Sequence, residues 1–96
     1  MAPPPNQLDG ARVIMWAEVS ETRPTGGTRH WKDGKVMGPA AGLAICQYDD
    51  DSQFYLFYCD QEWAVCTDTC HSSLELAREQ AEFEYEGVHG VWQRAT

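Results

Sequence analysis

Apolar and polar positions along the chain sort into four strand-like runs followed by one helical stretch. Arg12 to Glu21 carries Val13, Ile14, Met15, Trp16 and Val19, and this β-branched and aromatic content predicts a strand. Pro24 and the Gly26-Gly27 pair end it. Gly42 to Tyr48 predicts a second strand, and Asp49-Asp50-Asp51-Ser52 the turn after it, because Asp and Ser bond locally to backbone. Phe54 to Cys59 is apolar on both faces, which places it at the centre of a sheet. Asp60-Gln61-Glu62 makes a short turn, and Trp63 to Thr67 returns as the fourth strand. Connections this short force strands two, three and four into an antiparallel meander.

The pattern then changes to helical spacing. Ser72 is the expected N-cap, with Glu75 three positions on completing a capping box. The helix is predicted from about Ser73 to Glu86. Leu74, Ala77, Ala81 and Tyr85 form its buried stripe, with Leu76, Gln80 and Phe83 beside it. Glu75, Glu79, Glu82 and Glu86 form the solvent face, and Glu82, Glu84 and Glu86 together read as a solvated run rather than an acid/base pair. Gly87 stands where a left-handed residue is wanted. The segment Val88 to Ala95, with Val91 and Trp92, either adds a short strand or packs across the sheet.

The fold class expected is α+β: an antiparallel sheet of about four strands, a meander, with one C-terminal amphipathic helix packed on one face. Residues 1–10, Pro-rich and polar, read as a disordered tail. Residues 11–96 read as a single domain with a long Gly-rich loop at 22–42. One helix covers one sheet face only. The other must be covered by the 22–42 loop, by the C-terminal segment, or by a second copy in a homodimer. An uncovered aromatic face is a contact site, which makes Tyr55 and Phe57 candidate partner-binding residues.

Charge narrows the partners. The 96 residues hold 15 acidic and 7 basic side chains, a net charge of -8. The imbalance lies in the second part of the chain: residues 1–35 have five basic groups against four acidic, whereas residues 36–96 have two against eleven. Such a body repels phosphate backbones and anionic lipid heads, so nucleic acid and membrane surfaces are excluded as general partners. A basic protein partner is compatible. No run approaches the roughly 18 apolar residues of a membrane-crossing helix. Four cysteines in a short chain suggest disulfides where a protein is secreted. The start, Met1-Ala2-Pro3-Pro4-Pro5-Asn6, has no basic region and no apolar run, so a reduced, cytoplasmic state is expected.

Each candidate chemistry has a plainer competitor. Cys59, Cys66, Cys70 and His71 offer three thiolates and an imidazole to zinc. No C-x-x-C is present, and central-strand cysteines such as Cys46 and Cys59 are usually small buried hydrophobes, so no metal is assigned. Asp68, Cys70 and His71 formally make a nucleophilic set, but near-adjacent residues rarely face one another, and a nucleophile needs its base within hydrogen-bond reach. No catalytic residue and no cofactor is assigned, and the protein is read as non-enzymatic. Asp49 to Asp51 lacks the alternating ligands and the glycine of a calcium loop. Arg29, His30, Trp31 and Lys32 follow Gly26-Gly27, where glycine amides and cations can cradle an anion. The P-loop pattern is absent, and Trp31 can equally pin the loop to the core.

The C-terminal half carries a recognisable pattern. Phe57-Tyr58-Cys59-Asp60-x-x-Trp63, then Thr67-Asp68-Thr69-x-His71-x-Ser73, then Ala77-x-x-Gln80-Ala81-Glu82-x-Glu84-Tyr85-x-Gly87 resembles a family of small, acidic, stand-alone bacterial proteins of uncharacterised function. The resemblance covers roughly residues 54–92. It implies that Cys66 and Cys70 stand at positions otherwise apolar or aromatic, as packing substitutes. Some small acidic bacterial proteins of this general kind resemble immunity proteins, an analogy of size and charge. Two functions remain. The first is a small protein-interaction module, immunity- or inhibitor-like in its sharpest form. The second is a small-ligand or anion-binding module using the basic loop 23–35.

Overall fold

The structure is a computed structural model that describes residues 1–19 and 38–95, and the backbone of 23–24, 31–32 and 35–36. Its elements in chain order are β1 (Gln7–Leu8), β2 (Ala11–Glu18), β3 (Arg23–Pro24), β4 (Trp31–Lys32), β5 (Lys35–Val36), β6 (Gly42–Gln47), β7 (Phe54–Cys59), β8 (Val65–His71), α1 (Leu74–Glu84), β9 (Tyr85–Glu86), a 3-10 turn at Val88–Gly90, and β10 (Gln93–Arg94). The architecture is α+β, with one antiparallel sheet in the order β1-β2-β6-β7-β8. The expected strands correspond to β2, β6, β7 and β8, which run as a meander, although the fourth begins at Val65 rather than Trp63 and runs on to His71 rather than ending at Thr67. The sheet is wider than expected, because β1 and β10 both pair with the outer edge of β2.

Within the 22–42 region, β3 pairs with β9 and β4 with β5, both antiparallel. The remaining expectations for that loop fall outside the described residues.

Residues 1–10 differ from the expected disordered tail. Leu8 is opposite Ala11, and between them Asp9 (φ 49°) and Gly10 (φ 82°) take the two positive angles of a tight hairpin turn. Asp-Gly is the residue pair that favours this turn, whose twist matches the flanking strands. The Val13 amide donates to the Asn6 carbonyl at 2.9 Å, so pairing continues back to the prolines.

The first core lies on the helix side of the sheet. It joins Met15, Ala17, Val19, Leu43, Ile45, Leu56 and Tyr58 to Ala77 and Ala81 of α1, and to Tyr85 and Val88. The second core lies on the opposite side and joins Leu8, Ala11, Val13, Ala44, Cys46, Phe57, Cys59 and Trp63. Among the described residues the N-terminal segment and Trp63 pack over it. The Trp63 indole N–H donates to the Ala2 carbonyl at 2.8 Å. Its ring meets that of Trp16 edge-on, with centroids 5.8 Å apart.

Trp63 is held by its turn. The Asp60 carboxylate accepts from the amides of Glu62 (2.8 Å) and Ala64 (2.9 Å), and the Asp60 amide donates to the Ala64 carbonyl. This leaves Trp63 at φ 65°, in the left-handed region. A non-glycine residue there costs on the order of 1–3 kcal/mol. Burying an indole contributes a comparable amount in the opposite sense, and Trp63 is 6% exposed. Gly42 is required by the same ring: a Cβ at Gly42 would lie 2.6 Å from it.

The helix is one residue off the expected frame. Ser73, not Ser72, is the N-cap, with extended backbone and an Oγ that accepts from the Leu76 amide at 3.1 Å. The reason is β8, which runs on to His71 with half-buried Thr67, Thr69 and His71 alternating with exposed Asp68 and Cys70. Ser72 is then the single residue between the end of the strand and the cap at Ser73. At the other end Tyr85 leaves the helix (φ -134°) to pair with Pro24. Gly87 has the expected left-handed conformation (φ 78°) but opens the 3-10 turn rather than capping the helix directly.

Candidate functional site

The residues singled out from sequence do not form one site. Arg29 and His30 lie outside the described residues. Trp31 and Lys32 form β4, with Trp31 opposite Val36 and Lys32 opposite Lys35. Phe57 is 1% exposed in the second core, so it offers no surface to an approaching molecule. Tyr55 is half-buried, and its hydroxyl donates to Asp51 at 2.8 Å. The other Asp51 oxygen accepts from the Gln53 amide at 2.8 Å. These bonds hold the Asp51 carboxyl below its usual range, the Gln53 amide acting most strongly. The same carboxylate pushes the Tyr55 hydroxyl well above its usual value. With the Tyr48 ring edge-on to Tyr55 at 5.3 Å, this is a braced turn between β6 and β7.

All four thiols are free. Cys46 and Cys59 are buried, and burial pushes each up to about 12. A thiol held neutral in this way is a poor nucleophile and a poor metal ligand at neutral pH. Cys70 is exposed and lies opposite Tyr55, with its Sγ 3.7 Å from the Gln53 side chain. Strand alternation turns Cys70 away from its neighbour His71, which faces the helix side. Among the described residues, no group of three or more His, Cys, Asp or Glu is placed to hold a metal ion. Alkylation of the native protein near pH 8 is therefore expected to label Cys66 and Cys70 and spare Cys46 and Cys59. Mass spectrometry of peptides after a short pulse checks this, and equal labelling at all four would contradict it.

The polar cluster that sequence reading missed lies beneath α1. Glu84, read above as part of a solvated run, is 4% exposed. It accepts a hydrogen bond from the Tyr58 hydroxyl of β7. Thr69 and His71 of β8 stand beside this pair, with the Thr69 hydroxyl and the His71 ring 2.7 Å apart. Burial, reinforced by Glu84, drives the Tyr58 hydroxyl far above its usual value, with Thr69 opposing. Burial also lowers His71, and the Glu84 charge partly offsets it. Tyr85 completes the surroundings: its hydroxyl accepts from the Ala40 amide at 2.8 Å. A buried carboxylate survives only where it is hydrogen-bonded, and this one ties the last turn of α1 to the sheet. The signal was present in the spacing, since Glu84 follows Ala77 and Ala81 on one helical stripe.

The outer face of α1 has a different character. Leu76 is 46% and Phe83 58% exposed, and their seven-residue spacing puts them on one stripe. Glu75, Glu79 and Glu82 form the neighbouring stripe of the helix together with Arg78. No described helix is long and apolar enough to cross a membrane. No family model, no curated protein and no solved structure matches the chain.

Proposed function

We propose that the protein is a small non-enzymatic interaction module that binds a basic protein partner through the outer face of α1. One observation carries the reading: Leu76 and Phe83 are large apolar side chains on a stripe bordered by Glu75, Glu79 and Glu82. An apolar centre with a charged rim is the arrangement of a protein contact surface. The acidic rim steers a basic partner and sets the orientation in which it docks. In its sharpest form the role is immunity- or inhibitor-like, with the partner's basic site covered by this helix.

The test compares the wild-type protein with the double variant Leu76→Asp, Phe83→Asp as capture baits in lysate of the host. Both side chains are exposed, so the variant is expected to keep its melting temperature. A basic partner held by the wild type, lost by the variant and released by raising salt to about 0.5 M is the expected result. Identical recoveries by the two baits would overturn the reading.

A further inference from the structure

The three consecutive prolines of the N-terminal segment have a fixed shape. Each proline ring locks φ near about -65°. A residue that precedes a proline is held out of the helical region, and Ala2, Pro3 and Pro4 all do so. Residues 2–5 are therefore an extended polyproline stretch. Such a stretch makes no hydrogen bonds within itself, so its carbonyls are left for donors from outside and its rings for apolar surface.

The second face of the sheet supplies both. The Trp63 indole N–H donates to the Ala2 carbonyl at 2.8 Å. Trp16 lies opposite Ala44 of the second core, packs against that core, and lines the space beside Pro3, Pro4 and Pro5 together with Val13. The two indoles meet edge-on, with centroids 5.8 Å apart, so they form one continuous aromatic surface. Aromatic-lined grooves receive proline-rich segments in this way, because the stretch arrives already ordered.

Two observations mark residues 2–5 as an exchangeable occupant of this groove. They fill it incompletely, since a cavity of about 190 Å³ remains between the three prolines, Val13 and Trp16. They are also lightly held. Ala2, Pro3 and Pro5 are exposed and Pro4 is half-buried, whereas Leu8, where the first hairpin begins, is buried. The next anchor after the Ala2 carbonyl is the Asn6 carbonyl, on the Val13 amide at 2.9 Å, and the prolines between have no N–H to donate.

We propose that the groove formed by Trp16 and Trp63 is a binding site for a proline-rich segment of a partner protein, with residues 2–5 of this chain as a competing ligand in cis. The partner segment displaces these residues, accepts the Trp63 N–H on one of its own carbonyls, and fills the space that they leave. Competition in cis lowers the apparent affinity by the fraction of time the groove is free. The groove lies on the face of the sheet opposite α1, so its test is independent of the interaction reading above.

The experiment titrates the end-blocked peptide Ala-Pro-Pro-Pro-Asn, the sequence of residues 2–6, into the ¹⁵N-labelled full chain and follows the four tryptophan indole resonances. Saturable shifts of the Trp16 and Trp63 indoles are expected, with a dissociation constant on the order of 1 mM. The peptide Ala-Ala-Ala-Ala-Asn, without rings or a locked backbone, should bind about tenfold more weakly or worse. In the full-length triple variant Pro3→Ser, Pro4→Ser, Pro5→Ser the cis ligand is weakened, and the proline peptide should bind about tenfold more tightly than to the wild type. The wild-type titrations decide the matter even where the variant loses its fold. The proposal is overturned if the proline peptide gives no saturable shift up to about 10 mM, or if the alanine peptide binds equally well. It is equally overturned if the shifts map away from Trp16 and Trp63, or if the folded variant binds no more tightly than the wild type.

Discussion

The two faces of the sheet are closed by opposite means. On one, a regular helix lays Ala77 and Ala81 against Leu43, Ile45, Leu56 and Tyr58. The small helical side chains let the helix approach closely, and the buried Glu84 carboxylate is satisfied by Tyr58. On the other, an irregular segment and one indole do the covering. Trp63 is held at a positive φ, meets Trp16, excludes any side chain at position 42 and anchors Ala2. The helix side spreads its contacts over several turns. The second side concentrates them in one residue, so damage there is expected to be more local in origin and larger in effect.

The strongest challenge to that contrast is Trp63→Ala. Removing a buried aromatic costs about 3–5 kcal/mol, and here it also frees the N-terminal segment. Hydrogen exchange should show the amides of residues 6–8 and Val13 losing protection while those of α1 keep theirs. Uniform loss across both faces would show that the two cores do not behave separately.

Gly42→Ala probes the same ring from the other side. With its Cβ 2.6 Å from the Trp63 ring, the variant should lose about 1–3 kcal/mol by overpacking. In a Trp63→Leu background the cost should largely vanish. A double-mutant cycle by chemical denaturation measures it, and an unchanged cost would place the strain elsewhere.

On the helix face the sharpest comparison is between adjacent serines. Ser73→Ala should cost about 1 kcal/mol, the usual loss for an N-cap. Ser72→Ala should stay within about 0.5 kcal/mol, as at an ordinary exposed position. Equal effects would return the cap to the frame expected from sequence.

The smallest effect is the response to acid. His71 takes a proton less readily in the fold than free, so the unfolded chain is protonated first. Stability should fall as pH drops from about 6.5 toward the lowered native value. His71→Asn should flatten that part of a melting-temperature profile, and an unchanged slope would contradict the assignment.

The elements with strong periodicity were legible. The three runs beginning at Arg12, Gly42 and Phe54 correspond to β2, β6 and β7, the run from Trp63 overlaps the start of β8, and the stripe Leu74-Ala77-Ala81 lies in α1 with Tyr85 just past its end. Their composition and spacing encode which faces are buried, and short turns allow only antiparallel order. The signals that were overlooked are also local. Asp9-Gly10 is a hairpin pair hidden in a segment that its prolines made look like a tail. Glu84 shares a stripe with two buried alanines but carries a charge, and charge outweighed spacing in the reading.

What the sequence by itself determined, then, is the α+β class, the meander and the presence of one amphipathic helix after it, because each depends on residues close in the chain. Only the tertiary structure decided what covers the second face, which side chain satisfies the buried glutamate, and that the two ends of the chain meet beside Arg94 on the edge of β2. Those outcomes depend on residues far apart in sequence, such as Ala2 with Trp63 and Tyr58 with Glu84. Nothing in the local pattern of either partner encodes the other, and burial of a polar group becomes favourable only once its distant partner has arrived.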